Sequence, residues 1–109
     1  MTFEERAAKN EALFRSVNEK IERLGQVDQQ AVPFTAFVCE CSDGTCSQQV
    51  QLTIPEYEEV RSESRWFAVV PGHVTEEIEH VVHTTDRYVI VEKDTAVATR
   101  IVEGSDPRA

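Results

Sequence analysis

The chain has 109 residues, a length that suits one domain. It carries 11 Lys and Arg against 20 Asp and Glu, a net charge of −9, with 40% apolar and 28% charged residues. That balance fits a folded, soluble protein. It lacks the basic footprint of a nucleic-acid binder, and no apolar run approaches the roughly 18 residues of a membrane span.

Residues 1–25 predict an N-terminal amphipathic helix. Thr2 and Glu5 stand at capping-box spacing. Leu13, Val17, Ile21 and Leu24 recur at three- and four-residue steps and define one apolar stripe. Glu5–Lys9, Glu11–Arg15 and Glu19–Arg23 are i,i+4 pairs with the acid N-terminal, the better orientation. Gly25 occupies the position of a helix-ending glycine, and the polar stretch Gln26–Gln30 follows. The stripe is expected to dock on the rest of the domain; the other reading pairs it with a second copy as a short coiled coil. Monomer and homodimer both stay open.

From Pro33 the composition turns β-prone, and residues 31–103 read as an α+β domain. Phe34–Cys39 predicts a strand, Ser42-Asp43-Gly44-Thr45 a turn, and Gln49–Ile54 a second strand antiparallel to the first. Thr53 and Glu56 form another capping box, opening a short helix from Pro55 to about Glu63. Trp66–Val70 predicts a strand that stops at Pro71-Gly72. Residues 78–83 and Tyr88–Val91 predict a hairpin, while 96–102 reads as either a strand or a short helix. Residues 104–109 read as a polar tail without a buried role. The expected architecture is the N-terminal helix followed by one small, mostly antiparallel sheet carrying one short helix. Acids exceed bases six to five in residues 1–30, six to two in 31–72 and eight to four in 73–109. The excess negative charge therefore belongs to the β-rich part.

Cys39, Cys41 and Cys46 fall within eight residues, spaced C-x-C-x4-C. At a strand end, side chains two apart point to one face, and the Asp43-Gly44 turn can return Cys46 to them. An odd number of clustered thiols argues for metal or redox chemistry rather than a disulfide framework. Zinc takes four tetrahedral ligands, so one more is needed. His73, presented by Pro71-Gly72, is the first candidate, followed by His80 and then His83; Glu40 and Asp43 could offer oxygen. Four protein ligands leave no position for water, which makes the ion structural rather than hydrolytic. A small core also gains most from such a staple. A thiol-based redox role without metal, iron in place of zinc, and plain packing of three buried cysteines are the other readings.

The remaining candidates for chemistry have plainer explanations. Trp66-Phe67 reads as core, and Glu56, Glu58, Glu59 and Glu63 as a solvated acidic face. The serines sit in no nucleophile motif, and no phosphate-binding glycine loop occurs. The N-terminus has no apolar segment of a secretory leader, so a cytoplasmic protein is expected.

The stretches Asn10–Arg15, Val17-Asn18-Glu19, Phe37–Cys41, Glu56-Tyr57, Val60-Arg61, Val70-Pro71-Gly72-His73 and Asp106-Pro107-Arg108 together resemble a group of small uncharacterised actinobacterial proteins. The resemblance spans nearly the whole chain. It implies that the cysteines and Pro-Gly-His belong to one recurring pattern, and it implies no activity. The expectation is a non-enzymatic, zinc-binding interaction or regulatory module whose N-terminal helix meets a protein partner. A zinc-release redox switch and a small enzyme with a concealed site are the alternatives.

Overall fold

The computed structural model describes residues 1–25 and 34–108; the expected linker Gln26–Gln30 and the strand approach up to Pro33 lie outside them. The elements run α1 (Phe3–Gly25), β1 (Thr35–Val38), β2 (Gln49–Leu52), α2 (Ile54–Val60), β3 (Trp66–Val69), β4 (Glu79–Thr84), β5 (Val89–Lys93) and α3 (Ala96–Gly104). The α+β class stands, but the single sheet does not. β1 and β2 form an antiparallel hairpin of their own, and β3, β5 and β4 form a second antiparallel sheet in that order.

Local chemistry accounts for the helix starts. At α1 the Thr2 hydroxyl accepts the Glu5 N–H at 3.1 Å and the Glu5 carboxylate accepts the Thr2 N–H at 3.2 Å. The Thr53–Glu56 box at α2 closes in the same way. At α3 the Thr95 hydroxyl accepts the Ala98 N–H, and Ala98 and Val102 turn one face inward. Residues 96–102 are therefore helical, which makes two short helices where one was expected.

The second sheet is packed on both faces. On one side Phe67, Val69, Val89 and Val91 meet Ala8 of α1, Ala98 and Val102 of α3, and the thiols of Cys39 and Cys41. On the other, Ala68 and Ile90 meet Phe37, Leu52 and Tyr57, with the Phe37 and Tyr57 rings stacked 4.3 Å apart. Double burial explains the unbroken apolar runs of β3 and β5. β4 lies at the edge and exposes Val81 and Val82.

Of the expected stripe of α1, Ile21 alone packs against the core. Leu13 is 61% and Leu24 74% exposed. The inward face carries Ala8, Glu11, Arg15, Asn18 and Glu22 instead, again at three- and four-residue steps. Nor do Glu11–Arg15 and Glu19–Arg23 pair along the helix. Glu11 and Glu79 both hold the Lys93 ammonium, with all three side chains fully buried. Arg15 donates to the carbonyls of Ser64 and Val102, each at 2.7 Å, and lies 4.9 Å over the Phe67 ring. Glu19 accepts from Arg61 and Arg108. Buried charges are tolerated when paired and hydrogen-bonded, and here the partners arrive from distant elements.

The C-terminal residues join the same network, against the expectation of an uninvolved tail. Asp106 pairs with the fully buried Arg61 side chain and accepts the Ser64 hydroxyl. Arg108 bridges Glu19, Glu22 and Glu58. The acidic face of α2 is likewise partly engaged, with Glu56 paired to Arg87 at 2.6 Å. Phe67 is core as expected, whereas Trp66 is half-buried and donates its indole N–H to Glu92 at 2.7 Å.

Candidate metal centre

Three short pieces of backbone assemble the site. The Cys39 N–H donates to the Gln48 carbonyl at 3.0 Å, continuing the β1–β2 ladder by one rung. The chain then crosses to the second sheet, where the Glu40 N–H donates to the Ala68 carbonyl at 2.9 Å. A turn follows. The Asp43 carboxylate accepts the Thr45 N–H and hydroxyl at 2.9 and 2.7 Å, and the Cys46 N–H donates to the Asp43 carbonyl at 3.0 Å. On the other side, the His73 N–H closes onto the Val70 carbonyl at 2.9 Å, with Gly72 at φ +93°. A positive φ there is the demand of a type II turn, which glycine meets without steric cost.

Cys39, Cys41, Cys46 and His73 are thereby brought together, with their ligating atoms all within 4.8 Å of one another. The Nδ1 atom of His73 stands 3.6 Å from the Cys39 sulfur and 3.7 Å from the Cys46 sulfur. Bond lengths of about 2.3 Å to sulfur and 2.0 Å to nitrogen in a tetrahedron give S···N edges of about 3.5 Å. The group can hold a metal ion. Cys39 and Cys41 are buried, and Cys46 and His73 are half-buried. An open hollow of about 270 Å³ adjoins Cys41 and His73, with Thr75 and Asp43 on its walls.

The three thiols shift one another's ionisation. The Cys39 thiol is pushed far up by its hydrogen bond to Cys41 and by burial, and burial also raises Cys46. Cys41 is drawn down to about 5, chiefly by the hydrogen bond from Cys39. A divalent ion placed among the three sulfurs would favour the ionised form of each.

A supporting shell fixes the four-residue cluster. The Val70 N–H donates to the Cys39 sulfur at 3.2 Å. Glu40, between the first two thiols, points away from them into the protein and is fully buried. Its carboxylate accepts from Asn18 at 2.9 Å, the Tyr57 hydroxyl at 2.7 Å and the Ala68 N–H at 2.9 Å. Burial pushes the Glu40 carboxyl up while these three donors pull it down. Asn18 also pairs with both backbone groups of Val38 at 2.8 Å, and Asn10 donates to the Ser42 carbonyl at 3.0 Å. Helix α1 thus backs the whole cysteine loop.

The rival ligands are engaged elsewhere. His80 faces Asp94 at 3.2 Å and Glu92 at 3.5 Å, and His83 tilts against the Tyr88 ring. The Glu40 carboxylate is spent on its three donors, and that of Asp43 on Thr45. Sequence reasoning missed Glu40 and Asn18 as supports. The one available signal was alternation, since a residue between two ligands at a strand end must face the other way.

Among the described residues, no helix is long and apolar enough to cross a membrane. Comparison with family models, with curated proteins and with solved structures returns no match for the chain.

Proposed function

We propose that Cys39, Cys41, Cys46 and His73 bind one zinc ion as a structural staple. The observation that carries this reading is the convergence of three sulfurs and one imidazole nitrogen within 4.8 Å, with two S···N edges of 3.6 and 3.7 Å close to those of a tetrahedral site. Such a donor set favours zinc over harder cations. With four protein ligands the ion has no open position for water, so it holds rather than activates. It ties the β1–β2 hairpin to the turn after β3, the junction where the two sheets meet. Structural zinc contributes an apparent 10–16 kcal/mol, roughly, in zinc-finger peptides near neutral pH.

On this reading the protein is a non-enzymatic interaction or regulatory module. Helix α1, braced from behind by charge pairs, presents Leu13, Val17 and Leu24 outward to a protein partner; their exposure supports this role.

Elemental analysis of the purified protein tests the zinc assignment. One zinc per chain is expected, lost in Cys46→Ser and in His73→Ala and retained in His80→Ala. Full occupancy in His73→Ala would overturn the ligand set.

A further inference from the structure

The four ligands are not equally protected. Cys39 and Cys41 are 1% and 3% exposed, whereas Cys46 is half-buried, at the end of a turn on the protein surface. Cys39 is further held by the Val70 N–H. Cys41 borders the open hollow beside His73. All three sulfurs already lie within 4.8 Å of one another, so a disulfide needs only a short approach.

We propose that Cys46 is an oxidation site for hydroperoxides and that Cys41 resolves it, releasing the ion. This rests on the zinc reading above. The Cys46 thiolate attacks one peroxide oxygen: an S–O bond forms, the O–O bond breaks and hydroxide (or alkoxide) leaves. The Cys46 sulfur, now a sulfenic acid, has given up two electrons to the peroxide. The Cys41 thiolate then attacks that sulfur: the S–S bond forms, the S–O bond breaks and a second hydroxide leaves. Solvent protons neutralise both hydroxides. Cys39 and His73 alone remain on the zinc, which dissociates. A thiol reductant and fresh zinc reverse the sequence.

The selectivity follows from access. A zinc-bound thiolate keeps nucleophilic character, and among otherwise similar thiolates the exposed one meets oxidant first. The opposite pairing, Cys39 with Cys41, would link two residues separated only by Glu40, whose side chain is pinned on the far side by three hydrogen bonds.

The test exposes the reduced, zinc-loaded protein to hydrogen peroxide, follows released zinc with a chromophoric chelator, and maps thiols by alkylation and mass spectrometry. Release of one zinc per chain is expected in step with a Cys41–Cys46 disulfide, with Cys39 still alkylatable. A disulfide that includes Cys39, or zinc release that runs ahead of formation of the Cys41–Cys46 disulfide, overturns the proposal. If the reduced protein holds no zinc, the zinc reading fails by itself. The thiol map of the same sample still decides whether Cys46 and Cys41 form the oxidised pair.

Discussion

Glu40 is joined to Ala68 twice: its backbone N–H donates to the Ala68 carbonyl, and its carboxylate accepts the Ala68 N–H, both at 2.9 Å. One residue of the cysteine loop therefore serves the edge of β3 as a neighbouring strand would. The consequence for the metal centre is direct, because Glu40 lies between Cys39 and Cys41. Pinning it on the inner side fixes the two thiols on the outer side.

Glu40→Gln should therefore weaken both stability and metal binding. An amide in either orientation turns its NH2 toward donors that the carboxylate accepted. Loss of these charge-assisted hydrogen bonds costs about 1–3 kcal/mol, measured by chemical denaturation of the zinc-loaded protein. A competition titration should show weaker zinc affinity beside unchanged ligand identity. An unaltered denaturation midpoint would show that the three donors are not important to the fold.

Stripping the ion should destabilise the domain more than any single surface substitution. Chelation is expected to cost at least about 4 kcal/mol and to lower the thermal midpoint by about 15 °C or more. Acid should act in the same direction, because protons compete with zinc for three thiolates and an imidazole. Calorimetry with and without chelator at neutral pH reads the effect, and a midpoint unmoved by chelation would dismiss the stapling role.

The buried Glu11–Lys93–Glu79 group carries a prediction about pH. Burial pushes the Glu11 carboxyl up from 4.5 to about 9, against the opposing pull of Lys93. The folded state then holds a proton that the unfolded chain releases, so this contribution is full below about pH 4.5 and declines as pH rises toward about 9. Glu11→Gln keeps the neutral form and should flatten the fall in stability over that window. Urea melts at stepped pH check this; an equally steep decline in the variant would reject the assignment.

Asp106 should prove as important as a core residue despite its place three positions from the C-terminus. Removing it by Asp106→Ala leaves the fully buried Arg61 side chain with Glu19 alone, and one Arg61 nitrogen already lacks a partner. Breaking a buried pair from one side costs about 3–5 kcal/mol. Equilibrium unfolding should register that loss, while Arg100→Ala, on an exposed residue, should change little.

Most elements and the clustered thiols were legible in the chain because their signals are local, whereas the meeting of His73 with Cys39 and Cys46 spans 34 and 27 residues. Capping boxes at Thr2 and Thr53, alternation in Gln49–Leu52, the Asp43-Gly44 and Pro71-Gly72 turns, and the clustered thiols each act over a few residues. Residues 96–102 were ambiguous because a buried pair such as Ala98 and Val102 suits a helix or a strand until the Thr95 cap is formed. The inner face of α1 was misread for a different reason. Hydropathy assigns burial to Leu13, Val17, Ile21 and Leu24, of which Ile21 alone packs against the core, but Glu11, Arg15 and Glu19 are buried through Lys93, Ser64, Val102, Arg61 and Arg108, partners 42 to 89 residues away. No window along the chain contains both members of such a pair. Short-range backbone chemistry thus sets where helices and turns form, whereas the inward face of α1 and the role of Asp106 and Arg108 depend on which distant polar groups meet. A buried polar or charged group is stable only beside the partners that satisfy it, and folding alone brings them together.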